Sequence, residues 1–398
     1  MVRHVSHPVH VALATCAAAL ICGAASGAGP SRISRLDRSV IDASQADRLV
    51  ERLMAAGRVP GLGVAIFNQR KVAYLRTFGV RDSEKALPFT PNTVFNAASL
   101  TKATFAYAVM QLVQDHRLEL DTPIATYLAE PWTIDPAFSA LASDQRFKRI
   151  TARMLLSHTA GFPNLRVLNK GQVNVNFDPG SRYAYSGEGF RLLQLVVERI
   201  TRIPFERLMR ERIFTPFGMK RTSMIWDATF ESDSAIGYNT EGHPLSQRRR
   251  LQADAAGSMV TTLHDFSRFL EGVAQSRRIN TRTRTAMLAQ QIAIVSRRQF
   301  PTLSIETTDQ HRSIGLGYGL GWGLFTTPVG HAFFKEGHDS GFQHYCVIFD
   351  DVGTGVLLVA NSDNAEGLFG DLLNQLIADR YTPLEWEGYG LRRGQTPE

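Results

Sequence analysis

A serine and a lysine three residues apart are the residues of this sequence best suited to chemistry. Ser99 and Lys102 lie in the stretch Ser99-Leu100-Thr101-Lys102, at the start of a segment with an amphipathic helical pattern. On a helix, this spacing places the hydroxyl and the ammonium on one face, one turn apart. A serine hydroxyl is a poor nucleophile at neutral pH and is usually activated by an adjacent base. The pair therefore predicts nucleophilic catalysis at Ser99, with Lys102 as the base.

The same pattern has a purely structural interpretation. A helix that begins with a serine cap and carries a solvated lysine in its first turn shows the same spacing. A chain of this length contains about one Ser-x-x-Lys by chance. Ser99 and Lys102 form the only instance here, and it falls at a helix start. The surrounding sequence decides between the two interpretations.

Blocks of sequence over most of the chain resemble the class C β-lactamase and serine esterase family, in the family's order. Ser-x-x-Lys is the signature of the penicillin-recognising serine hydrolases. Besides the segment around Ser99, the similar blocks occupy residues 59–66, 71–80, 118–124, 150–162, 177–187, 213–219 and 256–262. The resemblance implies acyl transfer by Ser99 and Lys102.

Tyr185 matches the tyrosine of the family's Tyr-x-Asn motif, within Tyr185-Ser186-Gly187. The resemblance implies a proton shuttle next to the nucleophile. We expect Lys102 to lower the pKa of this phenol from about 10, so that the phenolate can accept the serine proton. Tyr183 is the alternative match, and a loop tyrosine that packs a helix start is the structural alternative. Gly187 departs from the family's asparagine, which holds the amide of acylamido β-lactams.

The third motif of the family is Lys-Thr-Gly in β-lactamases and transpeptidases, and often His-x-Gly in esterase-like relatives. The segment KEGHDSG at residues 335–341 is the match in this chain. We place His338 at the lysine or histidine position, with Ser340 in place of the glycine. His338 would donate a hydrogen bond to the substrate or to the tyrosine, and a polar strand-end histidine is the alternative. The expected oxyanion hole combines the backbone N–H of Ser99 with one from this strand, that of Gly341 or a neighbour.

The remaining chemically suggestive residues are assigned to packing. His158 is expected to end a helix, and Cys346 lies in an apolar, strand-like segment typical of inert burial. His338 and His344 could share a strand face, but no carboxylate or cysteine cluster accompanies them. We therefore expect no metal and no organic cofactor.

The composition is that of an ordinary globular protein, with 398 residues, 44% hydrophobic and 20% charged. The formal net charge is +7. The basic clusters at 248–250 and 297–298 are short and lack interleaved aromatic residues, which argues against nucleic-acid binding and favours solvated loops.

The first 28 residues have the features of a secretory signal peptide. Arg3 supplies a positive charge, residues 9–25 are apolar and rich in alanine, and small residues at 25–28 form a cleavage zone. A membrane anchor or a lipid-modified Cys22 are the alternatives. Signal removal leaves Cys346 as the only cysteine, which excludes an intramolecular disulfide. We expect an exported bacterial protein, periplasmic or secreted, with no membrane span after signal removal.

The periodicity of apolar residues predicts strands at both ends of the chain and helices between them. The predicted strands are 61–67, 71–78, 318–324, 331–336, 343–349 and 354–360; the predicted helices are 40–57, 99–116, 151–157, 187–201, 204–212, 262–275 and 363–380. Residues 29–398 are therefore expected to form one α+β domain of the β-lactamase/transpeptidase-like type. It has an antiparallel sheet built from both chain ends, flanking helices and an inserted helical lobe. Ser99 lies at the seam between sheet and lobe, where concave sites are common.

Together these features predict a serine hydrolase that acts on a small-molecule acyl substrate through an acyl-enzyme. Gly187 and the absence of a lysine at the third motif favour a carboxylic ester or a peptide-like amide. A β-lactamase or D-alanyl carboxypeptidase is the alternative within the family. A non-catalytic envelope binding protein of the same fold is the alternative outside enzymology. The sequence leaves the oligomeric state open.

Overall fold

Strands and helices alternate through the part of the chain that the structure, a computed structural model, describes: residues 32–128 and 136–389. The strands are β1 (Arg32–Ser34), β2 (Val40–Asp42), β3 (Gly61–Asn68), β4 (Lys71–Asp82), β5 (Leu87–Pro88), β6 (Phe95–Asn96), β7 (Val260–Thr261), β8 (Ile292–Ala293), β9 (Gly317–Tyr318), β10 (Gly323–Thr327), β11 (Gly330–Asp339), β12 (Phe342–Phe349) and β13 (Thr354–Ala360). The α-helices are α1 (Ala43–Gly57), α2 (Leu100–Gln114), α3 (Ala152–Leu156), α4 (Gly187–Thr201), α5 (Phe205–Met209), α6 (Thr215–Phe217), α7 (Leu263–Ala274), α8 (Thr281–Leu288), α9 (Glu366–Ile377) and α10 (Leu384–Glu387). The predicted signal peptide, residues 1–28, lies outside the described residues.

The main sheet has nine antiparallel strands in the order β5-β4-β3-β13-β12-β11-β10-β9-β8. β3 pairs with β13, from Leu62 opposite Ala360 to Phe67 opposite Gly355. Strands from both ends of the described chain therefore share one sheet, and helices α2 to α8 come between them in sequence. This confirms the predicted α+β plan. Two further pairs, β1-β2 and β6-β7, lie outside the main sheet.

Both faces of the sheet are covered, and this explains the continuous apolar run of β3. Leu62, Val64 and Ile66 belong to the core on the side of α1 and α9. Ala65 and Phe67 belong to the opposite core, which contains α2 and α7. A strand that is buried on both faces needs apolar residues at every position rather than at alternate ones.

Helix α2 runs through the larger of the two cores, and nearly all of its side chains are buried. It begins next to β11, where a Cβ on Gly337 would lie 2.9 Å from the carbonyl oxygen of Ala97 and 3.0 Å from Leu100 Cγ. The absence of a side chain at Gly337 allows the strand to approach the helix start this closely. The seam predicted between sheet and helices is therefore where α2 begins.

Most element boundaries agree with the predictions to within a few residues, but the predicted strand at 318–324 is divided between β9 and β10. Two further differences are informative. The first predicted helix starts at Ala43 because Asp42, at the end of β2, caps it together with Gln45. The predicted helix at 204–212 becomes the short α5 followed by a π-helix at Arg210–Phe214. Among the helices at 32–128 and 136–389, none has the length and hydropathy needed to cross a bilayer.

Candidate active site

Ser99 lies at the start of the buried helix α2, and its hydroxyl does not cap the helix. It is the N-cap residue, yet its side chain makes no cap hydrogen bond. The residue before it, Ala98, has a φ of 48°, in the left-handed region, which costs about 1–2 kcal/mol for a residue with a Cβ. Thr101 holds this turn, because its hydroxyl donates to the Ala98 carbonyl over 2.6 Å. Ser99 Oγ is therefore available to groups outside the helix.

Lys102 is buried beside Ser99 rather than solvated. Its Nζ lies 3.0 Å from Ser99 Oγ and donates to the carbonyl oxygen of Ala256 over 2.6 Å. Only 2% of the residue is exposed. Burial, followed by the positive charge of Lys335, lowers the pKa of Lys102 well below its usual value. An amine with a lowered pKa at this distance can accept the serine proton.

The carbonyl that receives Lys102 is fixed by a network of charged side chains. Asp254 Oδ1 accepts a hydrogen bond from the N–H of Ala256 over 2.8 Å. Arg191 binds Asp254, with 2.8 Å between Nη2 and Oδ2, and also pairs with the fully buried Glu188. Three chain segments are thereby tied together behind Lys102.

Tyr185 lies over the same pair of residues. The Nζ of Lys102 lies 4.8 Å from its ring centroid, and the Ser99 hydroxyl is near enough to lower the pKa of the phenol. Ser186, the next residue, caps α4 by accepting from the N–H of Gly189 and donates its own N–H to His158 Nδ1 over 3.0 Å. The start of α4 thus fixes Tyr185 in place.

The electrostatics of Tyr185 differ from the expectation. Burial, and then the charge of Glu336, raise the pKa of Tyr185 well above 10, although the nearby Ser99 hydroxyl acts in the opposite direction. The predicted phenolate, held by Lys102, is therefore corrected: Tyr185 is a neutral phenol, and Lys102 is the stronger candidate for the base.

His158 and Tyr183 serve the packing around this site. The His158 ring lies 4.4 Å from the ring of Tyr185, and burial lowers the pKa of His158 well below its usual value, so the imidazole is neutral. Tyr183 instead packs on Tyr318 and Trp386, at ring distances of 5.3 and 5.8 Å. Of the two tyrosines weighed from the sequence, Tyr185 is the one beside Ser99.

The third motif is carried by Lys335, and this corrects the predicted alignment. Lys335 Nζ lies 3.3 Å from the Tyr185 hydroxyl and contacts a Glu336 carboxylate oxygen at 2.6 Å. On a strand, residues 335 and 337 face the same side, and Gly337 is the residue that meets the start of α2. Lys335-Glu336-Gly337 therefore occupies the position predicted for His338.

His338 and Gly341 are not brought to Ser99. The His338 side chain is 60% exposed, and its Nδ1 lies 2.5 Å from Glu366. The N–H of Gly341 donates to Asp363 over 2.7 Å in the turn between β11 and β12, so it is engaged elsewhere. The predicted roles of His338 and of the Gly341 N–H therefore lack geometric support.

His344 and Cys346, which had suggested metal or thiol chemistry, are both buried. His344 lies on β12 and His338 on β11, so they are not on one strand. His344 Nε2 contacts the Asn96 carbonyl at 2.7 Å, and burial lowers its pKa to about 4. Burial raises the pKa of Cys346 to about 12. Within the described residues, no cluster of three or more histidine, cysteine or acidic side chains could hold a metal ion.

The order of these motifs along the chain matches a known family. A family model described as Beta-lactamase matches residues 46–379. The chain belongs to the beta-lactamase family. Penicillin-binding protein 4 of Amycolatopsis lactamdurans is 25% identical over 355 residues, which cover 83% of this chain and 88% of that protein. Protein flp of Staphylococcus aureus strain N315 is 23% identical over 336 residues, covering 80% of this chain but only 62% of its own length.

Solved structures of beta-lactamase relatives share the architecture. The octameric penicillin-binding protein homologue from Pyrococcus abyssi superposes with a TM-score of 0.67 at 22% identity, covering 81% of this chain and 74% of that one. D-alanine carboxypeptidase AmpC from Burkholderia cenocepacia gives a TM-score of 0.64 at 20% identity, covering 80% and 93%. These likenesses confirm the predicted β-lactamase/transpeptidase-like fold.

Gly187 departs from the beta-lactamase family's asparagine for a steric reason. A Cβ on Gly187 would lie 2.7 Å from the carbonyl oxygen of Asn164. The Asn164 side-chain oxygen also accepts the N–H of Gly187 over 3.1 Å. The loop that carries Asn164 thus occupies the space of the missing side chain.

Backbone geometry leaves donors for an oxyanion near Ser99. Among the described residues, the N–H of Ser99 finds no acceptor. β10 pairs with β11 only as far as Phe334, so the stretch of β11 from Lys335 to Asp339 has no strand on that edge. This free edge lies along the part of β11 that approaches α2.

Two cavities are lined in part by residues that support or neighbour the site. One, of about 380 Å³, is lined by Asn96, Trp226 and Asp339 among others. The other, of about 910 Å³, is lined by Leu165, Leu251, Arg191 and Asp254 among others. Asp254, which holds Ala256, connects this second cavity to the supports of Lys102.

Sequence analysis missed Lys335 and Glu336 as site residues. The signal was present, because Lys335-x-Gly337 matches the first and third positions of the beta-lactamase family's Lys-Thr-Gly motif. Matching His338 to the histidine of the esterase-like relatives placed the motif three residues too late in the sequence. Glu336 replaces the threonine of that motif with a carboxylate.

Proposed function

We propose that this protein is a serine hydrolase that forms an acyl-enzyme at Ser99 and releases the acid by hydrolysis. The observation that carries the proposal is the 3.0 Å contact between Ser99 Oγ and Lys102 Nζ, since the amine has a lowered pKa in a buried site. This is the arrangement of a nucleophile with its general base. The reaction needs no metal or organic cofactor.

In the first half-reaction, Ser99 Oγ attacks the substrate carbonyl carbon while its proton passes to Lys102 Nζ. The bond from that carbon to the leaving oxygen then breaks, and the leaving alcohol takes a proton that Lys102 returns through the Tyr185 hydroxyl. The neutral phenol suits this relay, because it can donate one proton as it accepts another. Lys335 donates to the same phenol oxygen and so polarises it.

In the second half-reaction, water attacks the acyl carbon and gives its proton to Lys102. The Ser99–acyl bond breaks, the acid leaves, and Ser99 Oγ regains its proton. In both halves the negative charge on the carbonyl oxygen needs two donors. The Ser99 N–H and a backbone N–H from the unpaired edge of β11 are our candidates.

A carboxylic ester is the substrate class we favour. Gly187 supports it, because the asparagine that recognises acylamido β-lactams has no room here. The second sequence argument, a missing lysine, no longer holds, because Lys335 stands beside Tyr185. β-Lactam hydrolysis or D-alanyl carboxypeptidase activity is the second candidate, favoured by the similarity to penicillin-binding protein 4.

Covalent labelling tests the proposal. A fluorophosphonate probe should label the wild-type protein and fail to label Ser99→Ala. A nitrophenyl ester and a chromogenic cephalosporin, compared by kcat/KM, separate the two substrate classes. Faster turnover of the cephalosporin would favour the second candidate.

A protein with this fold could instead bind ligands without turnover. Retained ligand binding with no labelling of Ser99 and no hydrolysis of either substrate would identify that case. The Lys102 contact argues against it, since a buried lysine without a carboxylate partner is costly unless it has a task.

We also infer export. The signal-like residues 1–28 and the similarity to penicillin-binding protein 4 support it. Mass spectrometry of the mature protein tests this, because cleavage in the zone at 25–28 fixes the first residue. An intact Met1 in the purified protein would contradict it.

A further inference from the structure

Lys335 has no hydrogen-bond donor left for a substrate. An ammonium group has three N–H donors. Those of Lys335 reach the Tyr185 hydroxyl at 3.3 Å, the Glu336 carbonyl at 3.0 Å and the Glu336 carboxylate at 2.6 Å. The Lys335 side chain is 0% exposed. All three donors of its ammonium group are therefore engaged by groups of the protein itself.

Glu336 is held against Lys335 from behind. Its Oε1 accepts a hydrogen bond from Gln299 Nε2 over 3.2 Å, and the N–H of Gln299 donates to the carbonyl of Trp386 in α10 over 2.8 Å. The Glu336 side chain is 5% exposed. Residues from three distant parts of the chain thus fix the carboxylate in place.

A second buried acid lies near Lys335 and Glu336. Glu387 is buried in the same region, and burial, with the charge of Glu336, raises its pKa well above the usual value. Glu336 is thus the acid that contacts Lys335 directly.

The cations farther along β11 are paired as well. His338 contacts Glu366, and both Arg248 and Arg250 contact Asp339 at 3.1 Å. A negatively charged substrate group beside β11 would therefore meet ion pairs already formed. Like charges placed together cost several kcal/mol of interaction energy and serve as a means of rejection.

We infer that Glu336 is a specificity-determining residue that makes this site select acyl substrates whose leaving group carries no negative charge. The inference rests on the proposed function and deepens it. Penicillins, cephalosporins and D-alanyl peptides all carry a carboxylate on the leaving side, whereas simple alkyl and aryl esters do not. Glu336 discriminates between these two chemistries by occupying Lys335 with an internal carboxylate.

A matched pair of esters tests the inference. Phenyl butyrate and 3-carboxyphenyl butyrate differ by one carboxylate on the leaving group. The wild-type protein should prefer the neutral ester in kcat/KM. In Glu336→Thr, which frees a donor of Lys335, the preference should fall by about tenfold or more. Glu336→Gln keeps the shape and an acceptor, and should give a fall in the same direction.

Glu211→Gln is the control, because it removes an exposed carboxylate that pairs with Arg207 and contacts neither Lys335 nor the cations beside β11. Its preference for the neutral ester should equal that of the wild type. Circular dichroism and thermal melting identify any variant that fails to fold, and Glu336→Gln then carries the test alone.

Binding of the anilides N-phenylbutyramide and N-(3-carboxyphenyl)butyramide, measured by calorimetry, reports the same discrimination without ester turnover, because their aryl group lies on the leaving side of the carbonyl. Wild-type protein should bind the neutral anilide more tightly, and Glu336→Gln should narrow the difference. If neither ester is hydrolysed but the anilides are discriminated in this way, the proposed function fails and the inference stands. Equal affinities in the wild type, no binding of either anilide, or a preference unchanged in both Glu336 variants would overturn it.

Discussion

Two lysines flank Tyr185, and their surroundings prepare them for opposite tasks. The Nζ atoms of Lys102 and Lys335 lie 4.8 and 5.0 Å from its ring centroid, and both residues are buried. Lys102 contacts a hydroxyl and a carbonyl, whereas Lys335 also contacts a carboxylate. A buried amine without a counter-ion loses its proton easily and can act as a base. Lys335 instead has a counter-ion in Glu336, and the charge of Lys335 helps to lower the pKa of Lys102.

The largest expected effect comes from removing the base. In Lys102→Met, kcat/KM for a nitrophenyl ester should fall by about 10³-fold or more, because the serine proton loses its acceptor. Steady-state kinetics measure this, with fluorophosphonate labelling as the readout of acylation alone. The matched control removes the other amine as Lys335→Met/Glu336→Gln. Equal losses in the two variants would remove the distinction between the lysines.

That control variant carries a prediction of its own. Lys335→Met/Glu336→Gln should lose about tenfold to a hundredfold in kcat/KM, because Lys335 acts through the Tyr185 hydroxyl. Activity rises with pH as Lys102 becomes neutral. Lys335 lowers the pKa of Lys102 more than Glu336 raises it. Removing both of these charges in the double variant therefore raises the pKa of Lys102.

The ascending limb of the pH profile should accordingly move to higher pH. The pH dependence of kcat/KM measures it, and Arg207→Gln, which removes an exposed arginine, controls for a general change in charge. A limb that stays in place or moves to lower pH contradicts the coupling between the lysines.

Replacing Asp254, whose charge acts on Lys102, should have a smaller effect and should move the ascending limb of the pH profile to lower pH. The charge of Asp254 raises the pKa of Lys102, so Asp254→Asn should lower that pKa and shift the limb to lower pH. The variant also weakens the support of Ala256, at a cost of about 1–3 kcal/mol in unfolding free energy. Chemical denaturation and the pH profile measure the two effects. Asp227→Asn, at an exposed acid, should show neither, and a shift to higher pH in Asp254→Asn would contradict the assignment.

The smallest effect is expected at His338. His338→Ala should change kcat/KM by no more than about twofold, because its side chain is exposed and paired with Glu366. A tenfold loss of kcat/KM would show that His338 acts in the site and would contradict the assignment of the third motif to Lys335.

The elements that carry Ser99 and Tyr185 could be predicted because local sequence determines them. The Ser99–Lys102 spacing on a helix places both groups on one face whatever surrounds them. Ser186 and Gly187 mark the start of α4, which distinguishes Tyr185 from Tyr183. The sheet could be predicted equally well, since β3 and β13 each have only one polar residue, at the end of the strand.

The β11 side of the site could not be predicted in this way, because its geometry depends on strand register. A lysine and a histidine three residues apart lie on opposite faces of a strand, and only the approach of Gly337 to α2 shows which face meets Ser99. The pKa of Tyr185 was misjudged for a related reason. Burial and the charge of Glu336 come from tertiary contacts that the tyrosine motif does not contain.

Trp386, whose carbonyl receives Gln299, gives the C-terminal helix α10 a share in the electrostatics of the site. A nascent chain that has grown to residue 380 already contains both lysines, the serine and the tyrosine. It does not yet contain the segment that anchors Gln299 behind Glu336. Protein synthesis proceeds from the N-terminus, so the ion pair at Lys335 gains its full support only after the segment around Trp386 has been made and has folded into place.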